Sequence, residues 1–280
     1  MHPAAIMLVL FAAIAHAGWN LFAKRVPHGG ALFVWLNSVC EIVWLAPVVV
    51  VVVALDGMPG TAWLAFTVSG LIHLGYFILL QRGYRVGDLS VVYPLARGSG
   101  PLLSVVAAVW LLGERPGPPA LAGAAAVIVG VFVIGGLGVG SSRGMGYGLA
   151  TGTLIAAYTL WDAHAVTTLG VPPVVLMSGS IAIEVVALAP YALRRRDEVG
   201  ELWRGHRTAV LAVAVLSPLA YLLVLFAMRM APVSLVAPAR ELSIVVGSLA
   251  GWLLLGEPNP VRRLTGAVIV VAGVAAIAVG

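Results

Sequence analysis

Ten apolar stretches of about 20 residues, separated by short polar connections between residues 4 and 279, constrain this chain more than any other feature. A helix rises 1.5 Å per residue, so about 20 apolar residues cross a hydrocarbon core of roughly 30 Å. The ten-residue alternation of an outer-membrane barrel is absent, and the pattern predicts an all-α integral membrane protein. Composition agrees: 61% of the residues are hydrophobic, 10% are charged and the mean hydropathy is +1.05, far more apolar surface than one soluble core uses. The formal charge of +5 would suit nucleic acid in a soluble protein. Here the basic residues cluster between the apolar runs and read as topology signals and lipid-headgroup contacts, so the bilayer is the expected partner and nucleic acid is not. Cys40 stands alone in an apolar run, which provides neither a disulfide framework nor a Cys-based metal motif.

Shifted by 142 to 144 residues, the sequence matches itself. Trp19-Asn20 meets Trp161-Asp162, and Glu41 with Leu45-Ala46-Pro47 meets Glu184 with Leu188-Ala189-Pro190. Ser90 and Pro94 meet Ser234 and Pro238, Ala96-Arg97 meets Ala239-Arg240, and Gly113-Glu114 meets Gly256-Glu257. The chain is expected to be a duplicated five-helix unit, residues 1–140 and 141–280. Five is odd, so the second unit enters the membrane from the opposite side. Ten transmembrane helices as two inverted five-helix repeats follow, an arrangement that recurs in secondary transporters and suits alternating access. Ala15-His16-Ala17 mimics a signal-peptidase site, but the counterpart of this stretch in the second half makes it part of the fold.

Polar residues inside the apolar runs are the candidate site, because lipid penalises them there. His16 and Asn20, Asn37 and Glu41, and Tyr158 and Asp162 are each four residues apart and share a helix face; His73 and Tyr76 are three apart. Of these, His16, Asn20, His73, Tyr76, Tyr158 and Asp162, with Tyr221, Arg97 and Arg240, are the expected solute-binding set. The guanidinium forks of Arg97 and Arg240 can bind an anionic group or pair with an internal carboxylate. Glu41, Glu184 and Glu241 are expected to serve in proton coupling or in such ion pairs. Because Glu241 follows Arg240 while Gly98 follows Arg97, Arg97 is expected to be the freer ligand. Pro94, Pro101 and Pro238 are expected to bend or break the helices carrying the arginines.

Other features read as scaffold. Gly113-Glu114 and Gly256-Glu257 look like helix stops. Gly123 and Gly130, with twins Gly266 and Gly273, put small residues on one face for close packing. Trp35, Trp44, Trp110 and Trp252 read as belt or packing aromatics. The charged stretch from Arg194 to Arg207 reads as a solvated loop.

The paired helices with proline and arginine that end in Leu-Gly-Glu, together with the duplication and the length, resemble the EamA family of the drug/metabolite transporter superfamily across essentially the whole chain. His16-Ala17-Gly18-Trp19-Asn20 followed by Lys24-Arg25 resembles a subset with His-Ala-x-Trp-Asn on the first helix, some of them associated with phosphonate utilisation. The resemblance implies a ten-helix secondary transporter whose central cavity is lined by helices 1 to 4 and 6 to 9, with helices 5 and 10 peripheral, and an exporter of amino acids or other small metabolites. No cofactor and no metal are implied, and the protein is expected to be a monomer or homodimer. Small multidrug relatives couple protons through a glutamate on the first helix, where this chain offers His16 and Asn20. Ten-helix relatives are described with both termini inside. Here twelve basic residues fall on the face of the odd-numbered connections and two, Arg115 and Arg229, on the other, which predicts a multi-pass protein of a bacterial inner membrane with extracytoplasmic termini. An intramembrane enzyme, with Ser99 in Arg97-Gly98-Ser99-Gly100 and His73 or His16 as base, and a non-transporting scaffold or sensor are the competing readings; enzyme activity is not expected.

Overall fold

A computed structural model describes residues 1–26, 30–87, 89–136, 142–255 and 259–279. Among these residues every regular element is an α-helix: α1 (Pro3–Ala23), α2 (Gly30–Asp56), α3 (Ala62–Val86), α4 (Leu89–Leu111), α5 (Pro118–Gly135), α6 (Ser142–Thr167), α7 (Pro173–Leu193), α8 (Arg196–Met228), α9 (Val233–Ala239), α10 (Leu242–Leu255) and α11 (Pro260–Val279). Lipid offers the backbone no hydrogen-bond partners, so apolar segments of this length must satisfy their own amides, and a helix does so. α9 and α10 are halves of one span, giving ten spans in two inverted repeats. The ammonium of Met1 donates to the carbonyl of Ala278 at 3.0 Å, so the start of α1 and the end of α11 lie on one face, as an even number of crossings requires.

The helices pair across the repeats. α1 packs on α8 and α10, α2 on α7 and α8, α3 on α6 and α7, and α4 on α6. To one side, α5 and α11 pack on each other through the four glycines expected from the repeat. A Cβ on Gly123 would lie 2.5 Å from the Gly273 carbonyl oxygen, and one on Gly130 would lie 2.9 Å from that of Gly266, so any larger residue would push the two backbones apart.

Three expectations change. The span after Pro232 breaks at Arg240-Glu241, just after Pro238, as expected of that proline, whereas α4, expected to bend or break in the same way, stays one helix through Pro94 and Pro101. The stretch 194–207 is not a loop: α8 begins at Arg196, and only His206, with φ −134° and ψ 21°, leaves helical geometry and breaks the helix there. Glu114 does more than follow a helix stop. Gly113 takes a left-handed φ of +68°, and beyond it the Glu114 carboxylate accepts the backbone N–H groups of Val233 and Ser234, both at 2.9 Å. A side chain from the end of α4 thus caps α9 in the other repeat. The twin, Gly256-Glu257, lies outside the described residues, as does Ser141 with Gly140 at the expected junction of the repeats. Of the tryptophans, Trp35 and Trp44 donate to the carbonyls of Val185 and Ala214 in the second repeat, while Trp110 is 82% exposed on the lipid side.

Candidate functional site

A cavity of about 490 Å³ runs down the middle of the bundle, lined by α1, α2, α3, α4, α6, α7, α8 and the break between α9 and α10. Its walls extend to Ala23, Val26 and Gly30 at the α1–α2 connection and to Leu80 and Gln81 near the end of α3, on the face of the basic connections. Eight of the nine expected solute-binding residues line it: His16, His73, Tyr76, Arg97, Tyr158, Asp162, Tyr221 and Arg240. Asn20 does not; its side chain folds back to donate to the His16 carbonyl on its own helix, at 2.7 Å. Glu41 and Glu184 also line the cavity.

The arginines meet at the broken span. Glu241 is buried, with one carboxylate oxygen 3.0 Å from Arg97 and the other 3.4 Å from Arg240. The expectation that Arg97 would be the freer of the two is therefore overturned: chain adjacency joins Glu241 to Arg240, but α4 packs against α9 and brings Arg97 closer. The Arg97 contact is a charge pair and not an aligned hydrogen bond, since Arg97 Nε and Glu241 Oε2 have no hydrogen-bond partner. Arg97 also donates to Ser243 Oγ at 3.3 Å, and Arg240 to the Tyr158 hydroxyl at 3.3 Å. Two guanidiniums share one carboxylate, so this end of the cavity carries a positive excess.

One turn along α6 from Tyr158 lies an acidic and aromatic pole. Asp162 is fully buried; one carboxylate oxygen accepts the Tyr221 hydroxyl and the other has no partner. The His73 ring stacks on Tyr158 with centroids 4.1 Å apart and meets Tyr221 edge-on at 5.7 Å. His73 Nδ1 lies 2.9 Å from the Ser69 carbonyl oxygen, which can only accept, so Nδ1–H is the donor of that contact. On α2, Asn37 donates to Glu41 at 3.1 Å, while its own amide oxygen is buried without a partner. Ser38, Ser69, Gln81, Ser180, Ser217 and Ser243, none of them anticipated, add to the polar lining. The serines escape notice because lone hydroxyls in apolar runs usually bond their own helix, as Ser180 does to Leu176. Ser99 is of that kind too, donating to the Leu95 carbonyl at 2.5 Å and pressed against Gly152.

A solved crystal structure, described only as that of a protein, superposes with a TM-score of 0.79 at 17% identity, over 100% of this chain and 98% of that one, and shares its fold. Among curated proteins, none matches the chain. The sequence pattern of the EamA-like transporter family matches residues 3–136 and again residues 142–279, one match to each half. A membrane-embedded duplication whose halves both carry that pattern and jointly enclose a polar cavity leads to one assignment: the chain belongs to the EamA-like transporter family.

Proposed function

We propose that the protein exports a small polar metabolite, such as an amino acid or organic anion, by alternating access around the central cavity, with an anionic group of the solute held at the Arg97–Arg240 end. The observation that carries this reading is the meeting of Arg97 from the first repeat and Arg240 from the second on the single carboxylate of Glu241. A second anion there offsets the positive excess and supplies an acceptor to Arg97 Nε. Asp162, Asn37 and the aromatic faces of His73 and Tyr158 offer acceptors to a donor or cationic group on the same solute.

On this reading the cavity mouth faces the cytoplasm and both termini lie outside a bacterial inner membrane, which the distribution of basic residues supports. Loading from the cytoplasm supports export. Glu41 and Glu184, paired by the repeat and facing the same cavity, are the proton-carrying candidates in place of a first-helix glutamate. The two repeats rock around the solute, and relocating a bound proton with it ties flux to the proton gradient.

The test is flux in proteoliposomes preloaded with a radiolabelled panel of amino acids and small organic acids. Efflux is expected for one class, reduced at least about tenfold by Arg97→Gln, a loss of roughly 1.4 kcal/mol of binding or more. Glu184→Gln is expected to remove the response to an imposed pH gradient. Absence of flux for the whole panel, with a cysteine at Ala12 inaccessible to a water-soluble maleimide, would overturn the reading.

A further inference from the structure

The charged stretch between α7 and the membrane-crossing part of α8 is a surface with a partner to be named. α7 ends with Tyr191 and Leu193 both exposed, 43% and 63%, apolar groups at the boundary of the lipid-facing surface. Arg194, Arg195 and Arg196 follow directly and are exposed. The Arg195 guanidinium lies over the Tyr191 ring, 4.7 Å from its centroid, which places it at the depth of a belt aromatic. Its contact with Glu198, at 3.6 Å between two half-exposed side chains, is a weak one.

The first turns of α8, up to the break at His206, sort their side chains into three sides. Val199 and Leu202 pack on the cluster of Val26, Phe33 and Leu36. With about 100° between successive residues, Asp197 and Glu201 fall on the side away from Val199 and the bundle, whereas Arg196 and Trp203 share one flank. Asp197 and Glu201 thus point to water together with Arg204, while the flank of Arg196 and Trp203 continues the arginine cluster at the end of α7. Val26 and Phe33 belong both to the cluster under this short helix and to the cavity wall, so the helix sits at the rim of the cavity mouth.

We infer that Arg194, Arg195 and Arg196, with Trp203, bind the phosphate-bearing headgroups of anionic lipids in the adjoining leaflet, and that this contact seats the short helix against the cavity mouth. Exposed guanidiniums beside belt aromatics match a negatively charged, interfacial headgroup in both charge and depth. The inference needs the protein to be in a bilayer but does not depend on which solute it carries.

Hydrogen–deuterium exchange of the full chain in nanodiscs tests it. Backbone amides of residues 196–205 should exchange at least about fivefold more slowly in nanodiscs containing 30% phosphatidylglycerol than in pure phosphatidylcholine. Raising the salt to about 0.5 M, where charges are screened beyond a few ångströms, should remove that difference in the unaltered protein. The variant R194Q/R195Q/R196Q should lose it while the exchange of α5 and α11 stays unchanged; if that variant does not fold, R194Q and R196Q singly should each reduce it. Equal exchange in the two lipids, or slowing that survives both the substitutions and the salt, would overturn the inference. Slowing of the same size produced by inorganic phosphate in phosphatidylcholine nanodiscs would overturn the lipid as its source.

Discussion

Glu241 is the residue on which the two repeats depend most directly, because it is the shared counter-charge of Arg97 and Arg240. Removing one member of a buried charged group costs far more than the group contributes as a whole, since the remaining charges stay behind unpaired. Glu241→Gln should therefore destabilise the protein by about 3 kcal/mol. A melting point lowered by roughly 6 to 12 °C in a detergent-solubilised unfolding assay would register it. Tyr221→Phe should cost about 2 kcal/mol in the same assay, because Asp162 is fully buried and would lose the hydroxyl donated to it. The sequence marked these residues as costly in lipid, and that much of the site was legible. Their pairing was not: Arg240-Glu241 are neighbours in the chain, yet the closer contact is to Arg97 from the other half. Asn20 likewise shares a face with His16 but is satisfied by its own helix, a local bond that a polar spacing cannot distinguish from a site.

Among the elements, the α5–α11 pair and the α4–α9 junction lend themselves to matched tests. Gly123→Ala puts a methyl against the Gly273 backbone and should cost about 1 to 3 kcal/mol in the unfolding assay. Gly146→Ala in α6, where a Cβ meets nothing within 4 Å, should be neutral or stabilising by up to about 1 kcal/mol. Glu114→Ala removes both acceptors at the start of α9 and should cost about 1 kcal/mol. A cysteine at Val233 should then react faster with maleimide than the same cysteine beside an intact Glu114. The small-residue spacing of α5 and α11 could be read in advance because a seven-residue repeat of glycines defines a face with few other uses. The helix in 196–205 could not, since two arginines and three acids dominate its composition, while Val199 and Leu202, which hold it to the bundle, are only two residues.

At the scale of the whole molecule, hydropathy and the duplication made the ten-span, two-repeat architecture legible, because lipid leaves the backbone one option per apolar segment. The cavity, lined by the helices the family resemblance implied, was not legible from hydropathy alone, since it depends on which distant helices face one another. Orientation can be checked directly: alkaline phosphatase fused after Gly280 should be active and green fluorescent protein at the same position dark, if the basic connections face the cytoplasm. Among the described residues, nine stretches are long and apolar enough to cross a membrane unaided, and α6 is the span left out. It carries Arg143 and Asp162 and buries Gly144, Gly148, Thr151, Gly152 and Thr159, so it suits protein neighbours better than lipid. This bears on how the chain is made: a translocation machine that sorts nascent segments by their own affinity for lipid should pass over α6. α3 and α4, the helices α6 packs on, leave the ribosome before it and can hold it back. In a glycosylation-reporter assay, residues 142–167 alone should slip through the membrane, while the same segment made behind residues 62–111 should stop in it.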